Sequence, residues 1–174
     1  MKKTVDAFDY SAQIMKALKK GLLLTTSSGN KVNTMTIGWG ALCVEWYLPI
    51  FVAYVRESRY TKQLLEESGE FTVNIPLDTC DKNILSYCGT KSGRDTDKIE
   101  DLGLHLEESE IVHVPGIREL PLTLECKVIY KQPQALSAIK DDLLDRYYPI
   151  GESGKRDGHS IYYGQIVNAY IIEG

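Results

Sequence analysis

Three stretches carry residue types that could do chemistry. The first is Arg56-Glu57-Ser58-Arg59-Tyr60-Thr61. Each arginine offers a planar fork of donors matched to phosphate oxygens. Ser58 and Thr61 add hydroxyls, and a helix expected over Thr61 to Glu67 adds free backbone N–H groups at its positive end. The same residues would equally compose a solvated charged turn with an ordinary threonine cap, so spacing alone leaves both readings open. The second stretch is Cys88-Gly89-Thr90-Lys91-Ser92-Gly93-Arg94-Asp95-Thr96-Asp97-Lys98, rich in glycine, hydroxyls and bases. It is superficially like a phosphate loop but lacks GxxxxGK[ST], and a surface loop before an Asp-capped helix is the plainer alternative. The third is Asn33-Thr34-Met35-Thr36-Ile37-Gly38-Trp39-Gly40. Glycine in a strand marks close approach by a ligand or another backbone, or a bend in a barrel. Thr36 offers a hydroxyl and Trp39 a flat apolar surface.

The remaining reactive residues point nowhere specific. Cys43, Cys80, Cys88 and Cys126 form no CxxC pair and no zinc spacing, and read as reduced thiols. Cys88 lies near bases that would lower its pKa, but a small buried residue is the simpler reading. His105 and His113 sit beside alternating apolar residues and look structural, and the three histidines have no metal-ligand spacing. His159 precedes the last strand signal and is either a structural histidine or a hydrogen-bonding group near neutral pH.

These stretches need elements to position them. Apolar spacing predicts a helix over Tyr10 to Leu18, then a strand over Gly21 to Thr26 closed by a turn at Ser27-Ser28-Gly29-Asn30. Strands follow at Met35 to Trp39 and Pro49 to Val55. The helix from Thr61, with Thr61 as its N-cap, is stopped by Gly69, and Phe71 to Ile75 is a strand. Helices are expected over Lys82 to Tyr87, Thr96 to Leu102 and Ala138 to Tyr147, with long strands at Leu122 to Tyr130 and Ser160 to Ile172. Many strands with short helices between them predict a mainly β protein, a closed or nearly closed antiparallel barrel with helical decoration. No GxGxxG follows a strand, which argues against a dinucleotide fold of the doubly wound kind.

The whole chain of 174 residues is expected to form one domain, 1–174, with no linker or repeat. A net charge of −4 argues against nucleic acid or an anionic membrane as partner, so an anion would need a local basic cluster. No apolar run approaches the roughly 20 residues that span a bilayer. Asp6 and Asp9 follow the basic start with no apolar signal core, and the expected location is cytoplasmic.

In order and spacing, these pieces resemble the flavin-reductase-like family, most closely its flavoredoxin branch. The resemblance rests on N-T-M-T-I-G-W-G (33–40), R-E-S-R-Y-T (56–61), S-G-E-F-T-V-N-I-P (68–76), Y-C-G (87–89), S-G-R-D-T-D-K (92–98), L-E-C-K-V (124–128) and H-S-I-Y-Y-G-Q-I-V (159–167). It implies a split β-barrel that binds FMN, commonly as a homodimer. Met35, Thr36, Ile37, Gly38 and Trp39 would then lie along the isoalloxazine. Arg56, Ser58, Arg59, Tyr60 and Thr61 would hold the phosphate, and Asn74, Cys88, Gly89, Ser92 and Lys98 would complete the pocket. His159 stands where the family often has histidine, which makes it the candidate catalytic residue, placing a nicotinamide.

Two departures bear on substrate choice. The turn before the Pro49 strand is the bulky Val44-Glu45-Trp46-Tyr47-Leu48-Pro49, and the stretch 132–157 is longer than in short relatives. Such a segment could cover the open face of the flavin. The implied activity is an NAD(P)H-dependent flavin reductase, with NADH or NADPH as donor. The alternatives are an FMN electron carrier exchanging electrons with partner proteins, or a dimeric barrel without flavin.

Overall fold

The computed structural model describes residues 1–77 and 81–173. Cys80, one of the four expected thiols, lies outside the described residues. The strands are β1 (Lys2–Thr4), β2 (Leu22–Ser28), β3 (Lys31–Ile37), β4 (Gly40–Glu45), β5 (Leu48–Arg56), β6 (Glu70–Ile75), β7 (Leu106–Glu107), β8 (Gly116–Ile117), β9 (Leu122–Pro133) and β10 (His159–Ile172). The helices are α1 (Ser11–Leu18), α2 (Tyr60–Ser68), α3 (Lys82–Thr90), α4 (Lys98–Leu102) and α5 (Asp141–Tyr147). The main sheet runs β3-β2-β6-β9-β10-β5-β4, with β1 added to β10. Its neighbours are all antiparallel.

Period-two alternation fills the barrel. Leu22 and Leu24, Met35 and Ile37, Phe51, Ala53 and Val55, Phe71, Val73 and Ile75, and Leu122, Leu124 and Cys126 belong to one buried cluster. Ile14, Ala17 and Leu18, spaced i, i+3, i+4 on α1, join the same cluster. Leu23 faces the other way and packs with Ile84 and Cys88 of α3 and with Leu104, Ile117 and Leu120. Outside β5 and β10, Ile50, Val52 and Ile161 form a third cluster. At Gly164, a Cβ would lie 2.3 Å from the Phe71 ring, so glycine admits the aromatic at a bulge between β10 and β9.

Several expectations shift in detail. The strand expected over 35–39 begins at Lys31 and ends at Ile37, and Ser27 and Ser28 belong to β2, leaving Gly29-Asn30 as the turn. Thr61 is not the helix cap. Arg59 takes the N-cap position without a side-chain cap bond, while Thr61 is buried in the first turn and accepts a 2.7 Å bond from Asn33 Nδ2. Gly69 does end α2, in left-handed backbone at φ 67°. Asp97 caps α4, which starts two residues later than expected. The helix expected over 138–147 is shorter, α5 over Asp141–Tyr147, with a 3-10 turn at Leu136–Ala138 before it. The bulky 44–49 stretch is a hairpin: β4 and β5 are joined by Trp46 and Tyr47, both at positive φ (52° and 58°).

Candidate functional site

Among the described residues β3 ends the sheet and no strand lies along its outer edge, so every second peptide group there stays outside a ladder. The chain leaves β3 through Gly38 and Trp39 and turns into β4. In the split so formed lie two adjoining hollows, of about 150 and 250 Å³, that share Met35, Thr36 and Arg59. The smaller is bounded by Met35 to Trp39, Tyr54, Arg56 and His159. The larger is bounded on one side by Ser58, Tyr60 and Thr61 from the start of α2, and on the other by Cys88, Gly89, Ser92 and Lys98.

Close packing brings the two sides together. A Cβ on Gly89 would lie 3.3 Å from Thr36 Cβ, so α3 sits directly on β3. Thr36 Oγ1 donates to Leu85 O at 2.6 Å and pins the same contact. Gly93 lies against Asn33, whose Oδ1 would be 2.1 Å from an added Cβ.

The electrostatics are one-sided. Arg56, Arg59, Lys91, Arg94 and Lys98 line the hollows, and no aspartate or glutamate does among the described residues. Lys98 is 4% exposed, and its ammonium donates to Thr34 O (2.9 Å) and Cys88 O (3.1 Å). Burial lowers its pKa. Arg94 donates to Ser58 O at 3.0 Å and stacks on Tyr60. Arg59 is exposed on the rim. A cluster of cations without carboxylate partners is a site prepared for an anion.

Arg56 and Ser58 are held differently. Arg56 donates to Asp157 O (2.7 Å) and Tyr147 O (2.8 Å), and its guanidinium lies over the rings of Trp39 and Tyr148. Both the backbone N–H and the hydroxyl of Ser58 donate to the Asp157 carboxylate, at 3.1 and 2.6 Å. These bonds tie residues 134–158 across the Trp39 end of the cleft.

His159 is 6% exposed beside Trp39, Tyr54 and Tyr148, with ring centroids 5.0, 6.2 and 5.5 Å away. Its Nδ1 lies 3.0 Å from Tyr148 Oη, which donates to Gln134 Oε1 at 2.7 Å. Burial, reinforced by Arg56, lowers its pKa to about 4, so the imidazole is neutral near pH 7.

Asn74 is the sequence-predicted site residue that does not reach the cleft. It is fully buried on β6, donates to Thr25 and Thr72, and accepts from Ile117 N–H and the Thr123 hydroxyl. Both ends of its amide are used in joining strands. The other named residues line one or other hollow. Sequence reasoning did not single out Tyr54, although it stands two residues before Arg56 on the same strand face. Nor did it single out Asn33 or Asp157. Asn33 opens the third stretch as an unremarkable polar residue, and no local pattern points from Asp157 to Ser58.

Comparison with known proteins agrees with this architecture. The flavin reductase like domain model matches residues 15–174. An uncharacterized protein of Archaeoglobus fulgidus is 37% identical over 106 residues, a stretch spanning 61% of this chain and 59% of that protein. A flavoredoxin from Methanosarcina acetivorans superposes with a TM-score of 0.66 at 26% identity, covering 88% of this chain and 68% of that one. Flavoredoxin of Desulfovibrio vulgaris (Miyazaki F) shares the fold at a TM-score of 0.65 and 24% identity, covering 88% and 69%. With the split barrel and its cleft in view, the match over residues 15–174 settles membership: the chain belongs to the flavin reductase-like domain family.

Proposed function

We propose that the chain binds FMN in the basic cleft and acts as an oxidoreductase taking hydride from NADH or NADPH. The observation that carries this reading is the set of five cations around the cleft of a chain whose net charge is −4. The residues present fit the group. Arg59, Arg94 and Lys98 offer charge-assisted donors for a phosphate. Met35 and Ile37 are apolar residues beside the open edge of β3, whose peptide groups suit the polar rim of a flat heterocycle. Bound FMN supplies the hydride chemistry, and the protein supplies binding, orientation and electrostatics.

The work of the chain is therefore positional. Trp39 and Tyr54 offer flat surfaces against which a nicotinamide can lie, and residues 134–158 limit water at that end. His159 is neutral at working pH and acts through a hydrogen bond rather than a charge. Hydride transfer needs no protein acid or base, so the lack of a triad is no objection. A second copy is the proposed partner. Val44, Trp46, Tyr47, Ile129 and Tyr130 are exposed around the outer apolar cluster, a patch suited to burial against its twin.

The likeness to flavoredoxins supports a second reading, an FMN protein that exchanges electrons with protein partners. One experiment separates the two: the visible spectrum of the protein loaded with FMN, followed anaerobically on adding NADH and then NADPH. Rapid bleaching is expected. A flavin that stays oxidised would favour the carrier, and failure to retain FMN would overturn the proposal.

A further inference from the structure

We infer that Asp157 is an internal anion that latches residues 134–158 over the cleft and makes the cleft discriminate between phosphorylated and unphosphorylated ligands. The inference rests on the FMN reading for its ligand, but its geometry stands apart from it. Ser58 borders the larger hollow, beside Arg59 and Lys98, and its two donors both go to the Asp157 carboxylate. A phosphate that uses Ser58 must displace that carboxylate, because a second anion in contact with it is repelled.

The segment is built to come away. Neither its 3-10 turn nor α5 contains a buried residue. Tyr148 is its one deeply buried aromatic side chain. Backbone bonds fix its two ends, Gln134 N–H to His159 O and Glu57 N–H to Gly158 O, and between them the polar ties run to the cleft: Asp157 to Ser58, the carbonyls of Asp157 and Tyr147 to Arg56, and Tyr148 to His159. Within the segment, Arg156 bonds Leu144 O, Tyr148 O and Asp145, so residues 144–156 are cross-linked to one another. Releasing the Asp157 carboxylate frees both donors of Ser58 and leaves the segment held by the carbonyl bonds to Arg56, the Tyr148–His159 contact and the bond from Glu57 N–H to Gly158 O, so that it opens more readily. A ligand lacking phosphate gains nothing from that release.

The test compares wild type with Asp157→Asn and Asp157→Ala. Two quantities are read: dissociation constants for FMN and riboflavin, and the rate of tryptic cleavage after Lys140, Arg146, Lys155 and Arg156. Both variants should be cut several-fold faster than wild type, and should bind FMN about three- to tenfold tighter with riboflavin unchanged. FMN or millimolar inorganic phosphate should speed cleavage of wild type towards the variants' rate. Equal cleavage in variant and wild type would overturn the latch, and an equal gain for riboflavin would overturn the discrimination. If neither flavin binds any of the proteins, the FMN reading fails by itself. The phosphate response then decides the latch: acceleration of wild-type cleavage upholds it, and no acceleration overturns it.

Discussion

Arg56 and Arg59 are three residues apart and look equivalent in the sequence, yet their surroundings set them different tasks. Arg56 is held by two carbonyls of the covering segment, while Arg59 stands on the rim shared by both hollows. Arg59→Ala should therefore weaken FMN binding by roughly ten- to a hundredfold, the range of one charge-assisted hydrogen bond. Arg56→Ala should cost less, and titration of flavin fluorescence measures both. His159 gives a pH prediction. Its folded pKa of about 4 lies below the ordinary value of 6.5, so between these values the unfolded chain binds more protons than the native one. Stability from this group is full above pH 6.5 and is lost as pH falls to 4. His159→Gln should flatten the melting temperature over that window. Glu66 acts lower on the scale. Burial would raise its carboxyl, but bonds from Lys131, Tyr162 and Lys62 outweigh that and hold it at about 2. Its loss runs from about pH 4.5 downward and should survive in the His159 variant.

At the scale of elements, Asn74 shows how strand alternation can set a motif residue apart from the hollows that the other predicted site residues line. It lies in S-G-E-F-T-V-N-I-P, which carries the resemblance, but alternation along β6 sends it to neither cavity. It ties β6 to β2, β8 and β9 through Thr25, Ile117 and Thr123. Asn74→Ala should lower stability by about 1–3 kcal/mol, the penalty for stranding buried polar partners. FMN affinity of the folded fraction should stay as it was, as calorimetry beside flavin titration would show. The long strands and the helix at Ser11–Leu18 were legible because apolar period and glycine stops agree there. The hairpin of β4 and β5 was not, because its turn is Trp46-Tyr47 where Asn-Gly would have announced it. Most residues lining the two hollows fall in three short motifs, because each motif spans the end of one element, a short loop and the start of the next. The contact of Asp157 with Ser58 was not legible, because 99 residues separate them and only the tertiary fold brings them together.

At the scale of the whole molecule, the outer aromatic patch and the hairpin turn are linked. Two aromatic residues in left-handed backbone cost about 1 kcal/mol or more each. Trp46→Asn combined with Tyr47→Gly should relieve that strain and raise thermal stability in dilute solution. It should also loosen the proposed dimer, so sedimentation velocity would show a shift towards the monomer. An unchanged dimer would remove this patch from the interface. The open edge of β3 has a further effect on how copies of the chain treat one another. A strand edge without a neighbour invites the edge of another molecule, the route by which sheets grow into aggregates. Here Lys98 sits buried on the Thr34 carbonyl, and α3 is fastened to Thr36. An incoming strand would have to evict a charged group and a helix before adding to the sheet. The edge is thus shielded from a second polypeptide, and strand addition is blocked at the cleft where we propose that the flavin binds.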